Sequence, residues 1–416
     1  MPPNPRELKN LVFFQKGKPP AQQPYFGSDA ELYLTPEYLR GREASEPVKA
    51  SSNAVRVSDG DTIVLWDGSN AGEVFRARRG VLASTMALLR LSESFDRGYF
   101  FYAMKNLEPL LKSQTAGSGI PHVDKEVLSR LTVFEFPKKE QLKIAEVLLA
   151  FDIAIEQTEA ILAKQQRVKT GLMQDVLTRG IDEHGAIRAE QTHAFKESPL
   201  GRIPREWDVK KCAALCKRIE VGIVVRPVQY YKPEGVKVLR SANVRENGID
   251  PSNLVYMSDR DNEILSKSQL RAGDLVTVRT GYPGTTAVIT PEFHGSNCVD
   301  LIISRPDIDE VRSEFLSIWI NSNYGKSQIL EGQGGLAQQH FNVGAMKLLL
   351  VKVPHLPEQQ RVEELLSRQD VSIAHIRQGL SKLRHLRTAL MHDVLTGGKS
   401  VTPLLGSSFD REPAYA

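Results

Sequence analysis

Two long stretches of the chain place apolar residues alternately three and four positions apart. They run over residues 140–180 and 358–398, and neither contains proline. An apolar position every 3.5 residues is typical of helices that pack side by side. The pattern therefore predicts two coiled-coil helices, each about 60 Å long at 1.5 Å per residue. The seam residues are Ile144, Leu148, Phe151, Ile155, Leu162, Leu172 and Val176 in the first stretch, and Val362, Leu366, Ile373, Ile376, Leu380, Leu383, Leu390 and Val394 in the second.

Polar residues interrupt both seams. They are Thr158, Gln165 and Lys169 in the first stretch and Gln369 and Arg387 in the second. Polar seam residues cost stability but fix register and partner choice. The other interpretation of the two stretches is a pair of helices belonging to ordinary globular cores, although their uninterrupted length favours a coiled coil.

The two stretches are copies of one another. Glu140 opens a segment that returns at Glu358 without a gap, and both copies close on the pattern L-M-x-D-V-L-T-x-G. An offset of 218 residues is far too long for a solenoid repeat. It indicates a duplicated domain plus helix, hence approximate two-fold symmetry within one chain and a target that comes in two parts.

The segments before the two helices also correspond. Gly60–Gly72 and Gly273–Gly284 both read as a Gly-Asp turn, a buried strand and a glycine-containing loop. The loops carry Ser69 and Asn70 in the first half and Arg279, Thr280 and Tyr282 in the second. Such side chains can hydrogen-bond base edges or phosphate oxygens. Tight hairpin turns without any binding role would explain the pattern equally well.

A third polar stretch lies before each helix, and His122 and His340 fall in it at the same offset of 218. Gln338 and Gln339 precede His340, and amide side chains can bind adenine through N6 and N7. A solvated loop between strand and helix is the competing interpretation.

Composition limits the function classes without choosing among them. Apolar residues make up 41% and charged residues 25% of the chain, with a net charge of +4 and a pI near 8.8. This mildly basic balance permits a nucleic-acid partner but does not require one. Three cysteines, Cys212, Cys216 and Cys298, argue for a reducing compartment and for buried thiols rather than disulfides. Because no run of about 18 apolar residues occurs, we expect a cytoplasmic protein without a membrane span.

The combination of these features resembles the specificity subunit of type I restriction–modification systems. Two variable globular halves alternate with two similar long helices, and the helices open on PKKEQ (Pro137 to Gln141) and PHLPEQQ (Pro354 to Gln360). The second half itself opens on PLGRIPREW (Pro199 to Trp207). The resemblance covers essentially the whole chain.

The resemblance implies an α+β protein in which two α/β target recognition domains are separated by two long helices that form an antiparallel coiled coil. Each domain would read one half of a bipartite, asymmetric DNA sequence, and the coil would set the unread spacer and dock two methyltransferase subunits. Motor-nuclease subunits would join the complex. S-adenosylmethionine, ATP and Mg would belong to those partners, so no cofactor or metal is expected on this chain. The expected domains are residues 1–137 (first recognition domain), 138–180 (central helix), 181–198 (linker), 199–355 (second recognition domain), 356–398 (C-terminal helix) and 399–416 (flexible tail).

Residues that could contact DNA are basic, amide, hydroxyl or aromatic side chains in the two halves. The candidates are Lys16, Lys18, Ser69, Asn70, Arg76, Arg78, Arg79, Arg226, Arg240, Asn243, Arg279, Thr280, Tyr282, Gln338, Gln339 and His340. One departure from the family pattern stands out, because the IPREW segment has no counterpart ahead of the first half. The first recognition domain is therefore expected to be a divergent or shortened version.

Catalytic motifs are missing from the chain. It has no N-P-P-aromatic motif of an adenine methyltransferase, and GGKS (Gly397 to Ser400) follows a helix where a phosphate loop would follow a strand. A helix C-cap explains that segment better. We therefore expect no catalysis. The alternatives are a coiled-coil scaffold that binds protein partners and, less well supported, an enzyme with a fused activity.

Overall fold

Each of two units contains a globular part and segments of both long helices. The computed structural model describes residues 3–91, 95–116, 120–246, 248–331 and 341–405. The first unit comprises residues 1–160 together with 377–416, and the second comprises residues 161–376. Both unit boundaries fall inside the long helices, so each helix begins in one unit and ends in the other.

The first unit mixes short strands with three helices before its long helix. Its strands are β1 Asn4–Glu7, β2 Val12–Lys16, β3 Glu31–Leu34, β4 Pro47–Val48, β5 Arg56–Val57, β6 Thr62–Leu65, β7 Val74–Arg76, β8 Gly80–Leu82, β9 Met86–Leu91, β10 Thr115–Ala116, β11 His122–Val123 and β12 Thr132–Glu135. Its helices are α1 Pro36–Leu39, α2 Arg97–Ser113, α3 Lys125–Arg130 and the start of α4 Lys138–Val176.

Two four-stranded sheets form the globular part of the first unit, with strand orders β2-β9-β6-β7 and β4-β3-β8-β5. Every residue of β6 is buried, since this strand has neighbours on both sides and its apolar side chains fill two core clusters. One cluster packs α2 and the early turns of α4 against the sheet, and Met391 and Val394 from the second long helix join it. Strand β1 pairs with β12 immediately before α4.

The second unit repeats this plan. Its strands are β13 Phe195–Lys196, β14 Ile203–Pro204, β15 Asp208–Lys211, β16 Cys216–Val221, β17 Val236–Leu239, β18 Val244–Arg245, β19 Gly248–Ile249, β20 Val255–Met257, β21 Leu275–Val278, β22 Thr286–Val288, β23 Asn297–Cys298, β24 Leu301–Pro306 and β25 Leu350–Val353. Its helices are α5 Cys212–Leu215, α6 Asp259–Ile264, α7 Ser313–Asn321, α8 Asn323–Glu331, α9 Val343–Leu348 and the start of α10 Leu356–Thr396.

The sheets of the second unit correspond to those of the first. Strand order β16-β24-β21-β22 matches β2-β9-β6-β7, and β15 pairs with β25 just before α10 as β1 pairs with β12 before α4. Strand β21 is buried throughout, like β6. The sequence correspondence between Gly60–Gly72 and Gly273–Gly284 is therefore a correspondence of turn, central strand and following loop.

Within each unit, segments of α4 and α10 run antiparallel. In the first unit Arg387 Nε donates to Asp152 Oδ1 at 2.9 Å, and Arg384 pairs with Glu159 nearer the start of α10. In the second unit Gln369 Nε2 donates to Gln165 Oε1 at 2.7 Å. Arg387 therefore lies in the seam with its side chain 18% exposed, whereas Arg384 reaches Glu159 from the flank and stays 58% exposed.

All the seam residues are buried or partly buried. Among the polar residues that interrupt the seam, Gln165 contacts Gln369, and Lys169 Nζ lies 2.5 Å from Asp370 Oδ1. Because these pairs form only when the helices are correctly aligned, they specify the register of the antiparallel pair.

A buried glutamine holds the start of each long helix. Gln141 and Gln359 are 1% and 0% exposed. In the first unit Gln141 Nε2 donates to the Phe136 carbonyl at 2.8 Å, and its Oε1 accepts from the backbone N–H of Asp96, the N-cap of α2, at 2.7 Å. The side chain therefore satisfies backbone groups of two different elements at once.

Gln359 makes the same two contacts in the second unit. Its Nε2 donates to the Pro354 carbonyl at 2.9 Å, and its Oε1 accepts from the N–H of Arg312, the N-cap of α7, at 2.8 Å. Each globular part is thus joined to its long helix through one amide side chain.

The residue before Gln359 forms a second buried joint. Both Glu358 carboxylate oxygens accept from the Arg188 guanidinium, at 2.5 and 3.0 Å, and Glu358 also accepts from Trp207 Nε1 at 3.1 Å and from the Ile181 N–H at 2.9 Å. Glu140, its counterpart in the first unit, makes no such side-chain contact among the described residues. Trp207 of the IPREW segment therefore takes part in a buried contact at the start of the second long helix, and the first unit, which lacks this segment, has no such contact among the described residues.

Three expected boundaries differ from the structure. Helix α4 ends at Val176 rather than Gly180, because Leu177 and Ile181 turn into the core of the second unit. The linker contains β13, which pairs with β14. The tail begins as packed structure, since Val401 is buried in the first core cluster and a 3-10 helix spans Thr402–Leu404. Residues 406–416 lie outside the described part of the chain.

The three cysteines are free thiols, with Cys212 and Cys298 buried and Cys216 partly buried. Cys212 Sγ and Cys216 Sγ lie 3.9 Å apart, and their hydrogen bond together with burial raises the pKa of Cys216. Burial raises the pKa of Cys298 as well. Thiols held in the protonated form are weak nucleophiles, which agrees with a packing role for Cys216 and Cys298.

Replacing Gln359 by alanine should lower the free energy of unfolding of the second unit by about 2–4 kcal/mol, because two buried backbone groups lose their partner. Denaturation followed by tryptophan fluorescence in a Trp66→Phe background measures this, since Trp207 and Trp319 then both report on the second unit. The matched control is Gln360→Ala, which removes an exposed amide that donates to Glu364. Equal losses of unfolding free energy for the two substitutions would show that Gln359 does not join the globular part to the long helix.

Candidate nucleic-acid interface

One edge of the main sheet in the first unit brings together three loops. The carboxyl ends of β2 and β6 and the amino end of β9 meet there, as the pairings of Lys16 with Ala87 and of Leu65 with Met86 show. The loop after β6 carries Ser69 and Asn70, both exposed. We call this edge 1.

The same edge exists in the second unit. Val221 at the end of β16 pairs with Ile302, and Val278 at the end of β21 pairs with Leu301. The loop after β21 carries Arg279, Thr280 and Tyr282. We call this edge 2. The duplication therefore places the polar loops found in the sequence at equivalent edges of two equivalent sheets.

A glycine that sequence reasoning missed shapes each edge. Gly17 follows β2 and Gly222 follows β16, and a Cβ atom would lie 2.1 Å from the Ala83 carbonyl oxygen at Gly17 and 2.6 Å from the Cys298 carbonyl oxygen at Gly222. Only glycine allows the backbone to approach this closely. The sequence feature that could have indicated these two positions is a glycine directly after the first long strand of each half.

At edge 1 an ion pair and a backbone bridge tie the loops together. Lys16 Nζ lies 2.5 Å from Asp67 Oδ2. Asp67 also pairs through its backbone with His122, so the third polar stretch of the first half lies beside the loop after β6. Lys18 is exposed two residues beyond Lys16. Most of the first-half candidates therefore converge on edge 1.

At edge 2 Arg279 is held in place. Its Nη1 lies 2.5 Å from Asp300 Oδ1, and its Nε donates to the Phe341 carbonyl at 3.3 Å. Thr280 Oγ1 donates to the other carboxylate oxygen of Asp300 at 3.2 Å. Tyr282, by contrast, is 83% exposed at the tip of the loop. Arg279 and Thr280 thus build the edge, while Tyr282 is free to contact a ligand.

The remaining second-half candidates have different settings. Arg226 is exposed and has a φ of 43° where the loop after β16 enters a short 3-10 helix. Gln338, Gln339 and His340 lie outside the described residues. Phe341 donates its N–H to the Arg279 carbonyl at 3.1 Å, so Phe341 itself lies at edge 2.

The arginine cluster of the first half lies elsewhere. Arg76 pairs with Thr62 at the opposite end of β6, which separates Arg76, Arg78 and Arg79 from edge 1 by the length of that strand. The Arg76 guanidinium also lies over the rings of Phe101 and Tyr102, at 4.6 and 5.4 Å from their centroids. Arg76 is therefore a packing residue, and the cluster does not belong to the converging loops.

Asn243 has a structural role rather than the expected binding role. It is 0% exposed, accepts from the Arg240 N–H and donates to the Asp250 and Ser252 carbonyls. Arg240 is also engaged, because its Nη2 donates to the Asn253 carbonyl at 2.7 Å. Both residues fix the loop between β17 and β20.

Within the described part of the chain, no group of three or more His, Cys, Asp or Glu side chains could hold a metal ion. Nor is any described helix long and apolar enough to cross a membrane.

Substitutions of two asparagines test which residues support the fold and which lie only on its surface. Asn243→Ala should cost about 2–4 kcal/mol of unfolding free energy, because it leaves buried backbone groups unpaired. Asn70→Ala, at the exposed tip of edge 1, should change it by no more than about 0.5 kcal/mol. Denaturation of both full-length variants makes the comparison, and a large loss for Asn70→Ala would show that its loop is part of the framework.

Comparisons with known proteins agree with this architecture. Residues 4–165 match the family model described as Type I restriction modification DNA specificity domain. The chain is 29% identical over 415 residues to the Type I restriction enzyme MjaVIII specificity subunit of Methanocaldococcus jannaschii, which covers 94% of this chain and 91% of that protein. A second protein of that organism, the putative type I restriction enzyme MjaX specificity subunit, is 24% identical over 49% of each chain.

Solved structures share the fold. The S subunit of a type I restriction–modification system from M. genitalium superposes with a TM-score of 0.57 at 14% identity, covering 95% of this chain and 99% of that chain. A chain from a structure described as the structural basis of complex assembly and conformational transition of the type I R-M system gives 0.59 at 15% identity, with 95% and 98% covered. Over nearly its whole length the chain is therefore similar to a specificity subunit of a type I restriction enzyme, and it shares the fold of solved subunits of type I restriction–modification systems.

Proposed function

We propose that this chain is a DNA-reading subunit whose two globular parts each recognise one half of a bipartite, asymmetric target. Edge 1 and edge 2 are the reading surfaces. The observation that carries the proposal is that one scaffold is built twice, with the same turn, central strand and close-packed glycine, while the loop side chains at the two edges differ. A repeated frame with different exposed groups suits the reading of two different sequences.

The chemistry of the exposed groups supports DNA as the ligand. Asn70 has an amide that can bind adenine N6 and N7 bidentately, and Ser69 can bond a base edge or a phosphate. Tyr282 offers a ring for apolar contact, for example with a thymine methyl group, and a hydroxyl for hydrogen bonding. Lys18 and Arg226 are exposed cations near these loops and would supply phosphate contacts, whose contribution weakens with salt.

The long helices would act as the spacer. Within each unit their segments run antiparallel, and polar pairs such as Gln165 with Gln369 and Asp152 with Arg387 favour one register. The number of unread base pairs between the half-sites would then depend on helix length rather than on any base contact.

The flanks of the helices would dock methyltransferase subunits. In the second unit Ile161 and Val168 of α4 are 51% and 47% exposed, seven residues apart on one flank. In the first unit Leu386 of α10 is 48% exposed. All three occupy the same position of the heptad, next to the seam. An apolar flank of this kind fits further helices of a partner.

Catalysis would reside on those partners. S-adenosylmethionine would bind the methyltransferase subunits, and ATP and Mg the motor-nuclease subunits. This chain would then have no chemical step of its own.

Base-resolution sequencing of methylated adenine in host DNA, with and without the gene, tests the proposal directly. We expect the loss of one bipartite motif with a fixed unread gap. If methylation is unchanged although the partner methyltransferase is expressed and active, the chain does not direct modification, and a scaffold role becomes the better interpretation.

Shortening both helices by one heptad tests the spacer. Deleting residues 158–164 and 374–380 keeps the seams in phase and shortens the pair by about 10 Å, close to three base pairs. The methylated motif should keep both half-sites and lose about three base pairs of gap. An unchanged gap in a folded, active variant would exclude the spacer role.

A deletion from one helix alone provides the control for this experiment. Removing residues 158–164 only should put the two seams out of register. That variant should lose stability and assembly rather than change the gap.

Tyr282→Ala should weaken binding to a duplex carrying both half-sites by about fivefold or more, because losing a hydrogen bond and an apolar contact in the groove costs about 1 kcal/mol or more. Its effect should appear at one half-site only. Ile308→Ala is the matched control, since Ile308 is 72% exposed and follows the other end of β24. Equal losses for both variants, measured by fluorescence anisotropy, would argue against edge 2 as the reading surface.

A further inference from the structure

Each reading edge carries a carboxylate paired with a cation. Asp67 lies 2.5 Å from Lys16 at edge 1, and Asp300 lies 2.5 Å from Arg279 at edge 2. Neither acid is hidden, because their side chains remain 28% and 40% exposed. An exposed carboxylate is an unusual feature on a surface meant for DNA, since it is repelled by every phosphate.

The two acids do not descend from one duplicated position. Asp67 follows β6, whereas Asp300 precedes β24, and the corresponding strand in the first unit is β9. Their cations differ as well, since Lys16 ends β2 and Arg279 follows β21. The same arrangement has been reached from different positions, which ties it to the use of the edge rather than to the ancestry of the halves.

Asp300 is held rigidly. Its φ of 50° lies in the left-handed region, which is unfavourable for most residues but tolerated by Asp and Asn. Its N–H donates to the Ile223 carbonyl at 3.0 Å. With Arg279 on one carboxylate oxygen and Thr280 on the other, the side chain cannot rotate freely.

The carboxylate of Asp300 still has acceptor capacity. A carboxylate offers about four lone-pair sites, and the described contacts use one on each oxygen. The unused sites can accept only from a donor. In the major groove the donors are the N4 amino group of cytosine and the N6 amino group of adenine, whereas the O6 and N7 of guanine and the O4 of thymine are acceptors.

We propose that Asp67 and Asp300 each select a base with an exocyclic amino group, cytosine or adenine, at one position of their half-site. The paired cation orients the carboxylate and offsets its repulsion from phosphate. Guanine and thymine are rejected because their acceptor atoms would face a fixed negative charge. This inference rests on the proposed function and adds a named chemical rule to each edge.

The test is the methylated motif of Asp300→Asn and Asp67→Asn variants in the full chain, expressed with its methyltransferase partner. Asparagine tolerates the left-handed backbone and can still accept from Arg279, so the edge should remain folded. At one position of one half-site, Asp300→Asn should lower discrimination against guanine or thymine by about tenfold. Asp67→Asn should do the same in the other half-site.

Glu310→Gln is the control for charge alone. Glu310 forms an ion pair with Lys210 in the same unit, again at 2.5 Å, and the substitution removes one negative charge away from edge 2. It should leave the motif unchanged at every position.

Two results would overturn the inference. One is an Asp300→Asn motif identical to that of the unaltered protein, and the other is relaxation of both half-sites by either substitution, which would indicate a general charge effect. Absence of any motif with the unaltered protein and an active methyltransferase would instead contradict the proposed function itself.

Discussion

The joint between each globular part and its long helix depends on one buried amide. Gln141 and Gln359 each bond the carbonyl of the segment that enters the helix and the N-cap N–H of a helix in the globular part. An amide suits this position because it has a donor and an acceptor in fixed relation and carries no charge to desolvate. Once this contact is made, the direction of the long helix relative to the sheet of the same unit is set.

The two units differ in the other contacts that join the globular part to the long helices. In the second unit Glu358 adds a charged contact to Arg188 and an indole contact to Trp207, all nearly excluded from water. A buried ion pair is costly unless its hydrogen bonds are complete, and here the indole and a backbone N–H complete them. The first unit instead joins its globular part to both long helices through Asp152, which accepts from Tyr102 and Arg387.

Most of the fold could be predicted from two periodic features of the sequence. The heptad phase identified the seam positions, and the 218-residue offset identified the duplicated plan, because both depend on local geometry that sequence records directly. The edges were harder. Arg76 and Asn243 have the composition of binding residues, yet the tertiary fold assigns one to aromatic packing and the other to a buried turn. The role of Gly17 and Gly222 could not be predicted, because the carbonyl that approaches each glycine belongs to a segment distant in sequence. The pairing of Asp67 and Asp300 with cations could not be predicted either, since each pair is formed by residues from different segments of the chain.

The cluster around Glu358 also constrains how such a chain can be rearranged. Glu358 belongs to the second long helix, and Arg188 lies in the segment that follows the first long helix. Trp207 directly precedes β15 at the start of the second globular part. A recombinant that exchanged this part would keep the cluster intact only if the crossover fell on the C-terminal side of Trp207. Crossovers further upstream would have to import an indole or leave the buried Glu358 carboxylate short of a donor, so one side chain limits where the globular part can be exchanged.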